Sequence, residues 1–130
     1  MRIAICCGEG FASGFLAKRL NTQLNKDALK DRVSFIFIPF VQLYRRQDEA
    51  DIAMLMAHVE TAAKSDSREY SIPMYVMPYK VAAATPPKVY FEDAEDLLAI
   101  AGGKGGLVTF PDEQVAAYVS RSRSHRSAKH

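Results

Sequence analysis

The sequence predicts a three-layer α/β fold: a parallel sheet of four or five strands flanked by helices. Two observations carry that prediction. Short apolar runs of strand type alternate with segments of helical periodicity, an order that builds parallel βαβ units. The chain has 130 residues, 48% hydrophobic and 25% charged, which fits one ordinary globular domain with a real core. The domain is expected over residues 1–119, with a basic tail, expected to be disordered, over 120–130. No internal repeat is evident.

The elements follow in order. Residues 2–6 form a short apolar strand. From Ser13 the pattern turns helical: Leu16, Leu20, Leu24 and Ala28 recur at four-residue spacing, with Lys18, Arg19, Asn21 and Asn25 opposite. Ser13 or Ala12 lies near the helix start, where a serine can cap it. Residues 33–38 are the second strand, ended by Pro39, and 41–49 have weak helical character. Residues 51–57 read as a fully buried third strand, and the polar stretch 60–69 includes a further helix. Residues 72–77 are the fourth strand, and Pro73 within it predicts an edge position.

Residues 91–101 are helical, with Glu92, Asp93, Glu95 and Asp96 in the first turns, where the helix dipole favours acids. The glycine-rich run 102–106 is a flexible break. Residues 107–110 are a fifth short strand or a loop, and 111–119 a last helix with Pro111 in its first turn. Met54, Met56, Met74 and Met77 are strand core rather than a metal site, and no metal-ligand spacing occurs.

Charge and cysteine usage narrow the function. The net charge of +2 comes from Arg121, Arg123, Arg126 and Lys129 in the tail. Without those four, 13 basic residues face 15 acidic ones, so the body gives no reason to invoke nucleic acid. The two cysteines, Cys6 and Cys7, are adjacent, and vicinal cysteines seldom close a disulfide. A reduced, cytoplasmic protein is expected. No window approaches the roughly 18–20 apolar residues that span a membrane, and the opening is not a signal peptide.

In α/β sheets the reactive edge is the one where strands finish and helices begin. The first strand finishes on the two thiols, followed by Gly8, Glu9, Gly10, Phe11, Ala12, Ser13 and Gly14. A small-residue loop at a helix start binds dianions such as phosphate, and lowers the pKa of a cysteine set within it. Cys6 is the last residue that still reads as strand, and it suits the core. Cys7 opens the loop beside Gly8 and Gly10, so it is the expected nucleophile, its sulfur at the mouth of a ring of main-chain donors. His58 follows the third strand and Tyr79 and Lys80 the fourth, which makes them candidates for contact with a phosphoryl group.

Four chemistries compete for this loop. A cysteine-loop phosphatase or arsenate reductase needs an arginine six residues after the cysteine, but Ser13 stands there and the first arginine after the cysteine is Arg19, inside the helix. A dinucleotide site would use Gly8, Gly10 and Gly14, yet Pro39 and Phe40 occupy the end of strand two, where an acid is required. A thioredoxin-type site would need Cys-x-x-Cys, which is absent. The remaining reading is a carrier that accepts phosphate on Cys7 and passes it on. A non-catalytic α/β regulatory module is the alternative outside these chemistries.

The run from Cys7 through Ala17 resembles the phosphocysteine loop of enzyme IIB of the bacterial sugar phosphotransferase system, lactose/cellobiose type. Cys7 matches the phosphorylated cysteine, Gly10 the fixed glycine and Phe11 the apolar position. Ala12, Ser13 and Gly14 match the small run, and Phe15 and Leu16 the helix entry. The close match covers residues 3–24, and a likeness in strand order extends to about 101. Residues 57–59, Ala-His-Val, depart from the Gly-Pro-Gln often found after the family's third strand. The resemblance implies a phosphotransferase that takes phosphate from a IIA phosphohistidine onto Cys7. From there the phosphate passes to a sugar, a disaccharide such as cellobiose or lactose, at a membrane IIC permease. It implies no cofactor, and a cytoplasmic location peripheral to the permease.

Overall fold

The first apolar run forms β1 (Arg2–Cys6), in which Ile3, Ala4, Ile5 and Cys6 have no exposed surface. A strand so buried needs a layer on each face. In this computed structural model, which describes residues 1–7, 11–24, 28–77 and 86–110, β1 has both. It pairs in parallel with β2 (Ser34–Phe37) on one side and β3 (Ile52–Leu55) on the other. β4 (Pro73–Val76) and the two-residue β5 (Gly106–Leu107) extend a parallel sheet of order β2-β1-β3-β4-β5. The fold is α/β, and the fifth strand is present.

Strand periodicity of two sorts the core into two layers. Ile3 and Ile5 face α1 (Phe11–Leu24) and α4 (Pro87–Ala101), packing with Leu16, Leu20, Ala94 and Leu97. Ala4 and Cys6 face the other way, in a cluster with Phe40 and Leu43 of α2 (Phe40–Arg46) and Ala63 of α3 (Glu60–Ser65). The leucine spacing read from the sequence is the buried stripe of α1, with Lys18 exposed opposite. Leu20 is wholly buried, which stabilises the fold by about 1.5–3 kcal/mol.

Several boundaries differ from expectation. α1 begins at Phe11, so Ser13 stands within the first turn instead of capping it, and Ala28 opens a separate 3-10 turn (Ala28–Asp31). α2 starts directly after Pro39 and passes into a 3-10 turn (Gln47–Glu49). The helix expected within 60–69 is α3, preceded by a 3-10 turn (Ala57–Val59) and ending at Ser65. α4 begins at Pro87, whose fixed φ suits a first helical position. Its first turn therefore contains no acid, and the dipole argument for residues 92–96 lapses.

The edge assignment from Pro73 is also corrected. β4 lies between β3 and β5, and Pro73 is its first residue, before the ladder to β3 begins at Met74. A missing donor is harmless there. The glycine run is a built turn rather than a loose break. Gly102, at φ 60°, ends α4 in the left-handed conformation, its N–H donating to the Leu98 carbonyl at 3.1 Å. Gly105 passes against the Tyr70 carbonyl, and Gly106 N–H reaches the Ile72 carbonyl at 3.0 Å to start β5. The helix expected over 111–119 and the tail over 120–130 lie outside the described residues.

Candidate functional site

The strand order reverses between β1 and β3, because the chain moves from β1 to β2 and then crosses to the far side of β1. Ligands of such sheets bind in the crevice outside the carboxyl ends at that reversal. Cys7 is the residue that follows β1, at that point. Its carbonyl accepts the N–H of Phe40, the first residue of α2, at 2.8 Å. The Cys6 carbonyl accepts Met56 N–H at 2.8 Å, which ties the end of β3 to the end of β1.

Neither cysteine forms a disulfide, and their surroundings differ. Cys6 is packed in the α2/α3 layer. Burial pushes its thiol up to about 12, the neighbouring Cys7 adds to the rise, and Arg46 opposes it less strongly. Cys6 is thus an uncharged, inert thiol at neutral pH, as a core residue should be. Cys7 is also covered, at 2% exposure, so the open sulfur expected at the loop mouth is not observed. The residue lies where β1, the start of α2 and the end of β3 converge.

No family model, curated protein or solved structure matches this chain. The site therefore rests on its own geometry.

Of the expected anion-binding loop, Phe11, Ala12, Ser13 and Gly14 form the first turn of α1. The first four N–H groups of an α-helix have no intrahelical partner and form its positive end. Gly8, Glu9 and Gly10 lie outside the described residues, as do Tyr79 and Lys80. His58 sits in the 3-10 turn after β3, exposed at the same sheet edge, while its neighbour Val59 is buried and anchors the turn. The structure thus brings Cys7, the first turn of α1 and the His58 turn to one edge of the sheet.

Phe40 and Met56 were not singled out from the sequence, although their amides fix the backbone of both cysteines. The available signal was Pro39, which stops β2 and starts α2 beside Cys7. Val41, in the first turn of α2, is 67% exposed and lies next to the Phe40 amide.

A cleft of about 410 Å³, lined by Met1, Asp51, Ser71, Pro73, Leu98 and Lys104, opens at the amino end of the sheet, away from Cys7. Among the described residues no cluster of His, Cys, Asp or Glu could hold a metal ion. No helix among them is long and apolar enough to cross a membrane. The chemistry available at the crevice is attack by the Cys7 sulfur on an electrophile brought to the carboxyl edge, once the residue is uncovered.

Proposed function

We propose that the chain is a phosphocarrier working through Cys7. The observation that carries this reading is the position of Cys7: directly after the central strand, at the reversal of strand order, ahead of the first turn of α1. The Cys7 thiolate attacks the phosphorus of a phosphohistidine on a IIA-type partner. An S–P bond forms, the P–N bond breaks, and the imidazole leaves as the neutral ring, keeping the proton that the phosphorylated ring carries on its other nitrogen. A sugar hydroxyl at a membrane permease then attacks the same phosphorus, its proton passing to a base, and the S–P bond breaks to restore the thiolate. Main-chain donors in the first turn of α1, residues 11–14, stabilise the transferring oxygens. Exposed Val41 offers the partner an apolar contact beside the site. On this reading the protein works in the cytoplasm, peripheral to the permease.

One observation favours a second reading, a non-catalytic regulatory module. Cys7 is 2% exposed, so transfer requires that docking of the partner uncover it. Incubation with a phosphorylated IIA-type donor, followed by mass-spectrometric mapping, separates the two. Label should appear in the native chain and in Cys6→Ser and vanish in Cys7→Ser. A correctly folded native chain that takes no label from any such donor would favour the module. Label that persists in Cys7→Ser and disappears in Cys6→Ser would assign the chemistry to the wrong sulfur.

A further inference from the structure

The outer edge of β2 is where the sheet would be expected to be open. Ser34 N–H donates to the Met1 carbonyl at 2.9 Å, and Ile38 N–H to the Ile5 carbonyl at 3.1 Å. Alternation along the strand then turns the peptide groups of Val33, Phe35 and Phe37 away from β1. Val33 N–H is taken by the Leu29 carbonyl at 3.1 Å. At Phe35 the partner is a side chain. Asn21 of α1 accepts Phe35 N–H on Oδ1 at 2.9 Å and donates from Nδ2 to the Phe35 carbonyl at 2.8 Å.

That pair of bonds is what a residue of a neighbouring strand would make. The amide orientation is fixed, because a flipped amide would set donor against donor and acceptor against acceptor. With Val33 and Phe35 engaged, the outward peptide groups no longer form an open run, and a docking strand needs consecutive outward residues. The opposite edge is blunted differently. β5 has two residues, and Gly106 at φ 98° interrupts its extension.

We propose that Asn21 guards the β2 edge, closing a strand-docking surface that fits the same edge of a second copy of this chain. The run Val33-Ser34-Phe35-Ile36-Phe37-Ile38 has high β propensity, no charge, no proline and no glycine. Such an edge pairs with itself in antiparallel register, and every copy presents it at the protein's own concentration.

The test uses the full chain carrying Asn21→Ala, its mass followed by analytical ultracentrifugation over a range of concentration. The variant should associate, with its mass at least doubling as concentration rises, while the native chain does not associate through this edge. Adding Ser34→Lys, a charge on the exposed face of the edge strand, should return it to monomer. A folded Asn21→Ala that stays monomeric overturns the proposal, and so does association that Ser34→Lys leaves untouched. Should the alanine variant not fold, amide exchange in the native chain decides. Phe35 N–H should be protected as strongly as Ile38 N–H, and exchange at Phe35 as fast as at an open edge overturns the proposal.

Discussion

Cys6 and Cys7 are the same residue type in adjacent positions, and the fold gives them different fates. Cys6 sits with Ala4, Leu43 and Leu55 in an apolar cluster that penalises its charged form. The consequence is a pH dependence. A thiol in the unfolded chain titrates near roughly 8.5, whereas Cys6 in the fold titrates at about 12. Between these values the unfolded chain has released a proton that the folded chain keeps, so stability falls as pH rises through that window. Below it, the contribution is complete. Urea midpoints measured from pH 8 upward should therefore decline less steeply in Cys6→Ala than in the native protein, at a cost of about 1 kcal/mol at neutral pH. The other alkaline groups are common to both proteins, so the difference isolates Cys6. Identical alkaline slopes would show that burial does not hold this proton.

At the scale of elements, two glycines after α4 do different work and should fail differently. Gly102 has φ 60° and open space where a Cβ would stand, so Gly102→Ala meets only the left-handed backbone cost of about 1–2 kcal/mol. Gly105 has no room, because a Cβ there would run into the Tyr70 carbonyl, which is main chain and cannot rotate aside. Gly105→Ala should push β5 from β4 and cost about 1–3 kcal/mol or more, exceeding Gly102→Ala in urea unfolding monitored by circular dichroism. The reverse ranking would mean that the close approach is not structural. The same turn marks the limit of what the sequence disclosed. The glycine run announced a break, but its tight fit against Tyr70 is a contact over more than thirty residues of chain. Strands and helices were legible because leucines at four-residue spacing and apolar runs bounded by proline are local signals. The edge prediction from Pro73 and the dipole prediction for residues 92–96 rested on element ends, and those are set by caps and neighbours. Cys7 was legible as the residue after β1. Its burial was not, since that depends on how the rest of the chain packs around the end of β1.

Among the described residues the two helical layers are unequal. α1 and α4 have 14 and 15 residues, while α2 and α3 have seven and six. Helices that short are not stable by themselves, so their layer depends on tertiary ties. One tie is conspicuous. Asp66, just after α3, accepts Arg68 Nε at 2.9 Å, Arg68 Nη2 at 2.8 Å and the Tyr70 hydroxyl at 2.6 Å. The Arg68 guanidinium lies 4.7 Å from the centre of the Tyr44 ring on α2, and Ser71 N–H donates to Gln47 Oε1 at 2.7 Å. The connection from α3 to β4 is thus fastened to the end of α2, whose first residue holds the Cys7 carbonyl. Arg68, helped by Tyr70, keeps the Asp66 carboxyl well below the usual carboxylate range. Its contribution is therefore present above the unfolded value of roughly 3.9 and is lost as pH falls below it. Asp66→Asn removes the charge and should loosen the α2/α3 layer as a unit. At neutral pH a loss of about 1 kcal/mol would speed alkylation of Cys7 by iodoacetamide about fivefold. The stability difference from the native protein should then vanish under acid conditions, where the native carboxylate is itself protonated. A variant with lowered stability at neutral pH but an unchanged Cys7 alkylation rate would separate the covering of Cys7 from this layer.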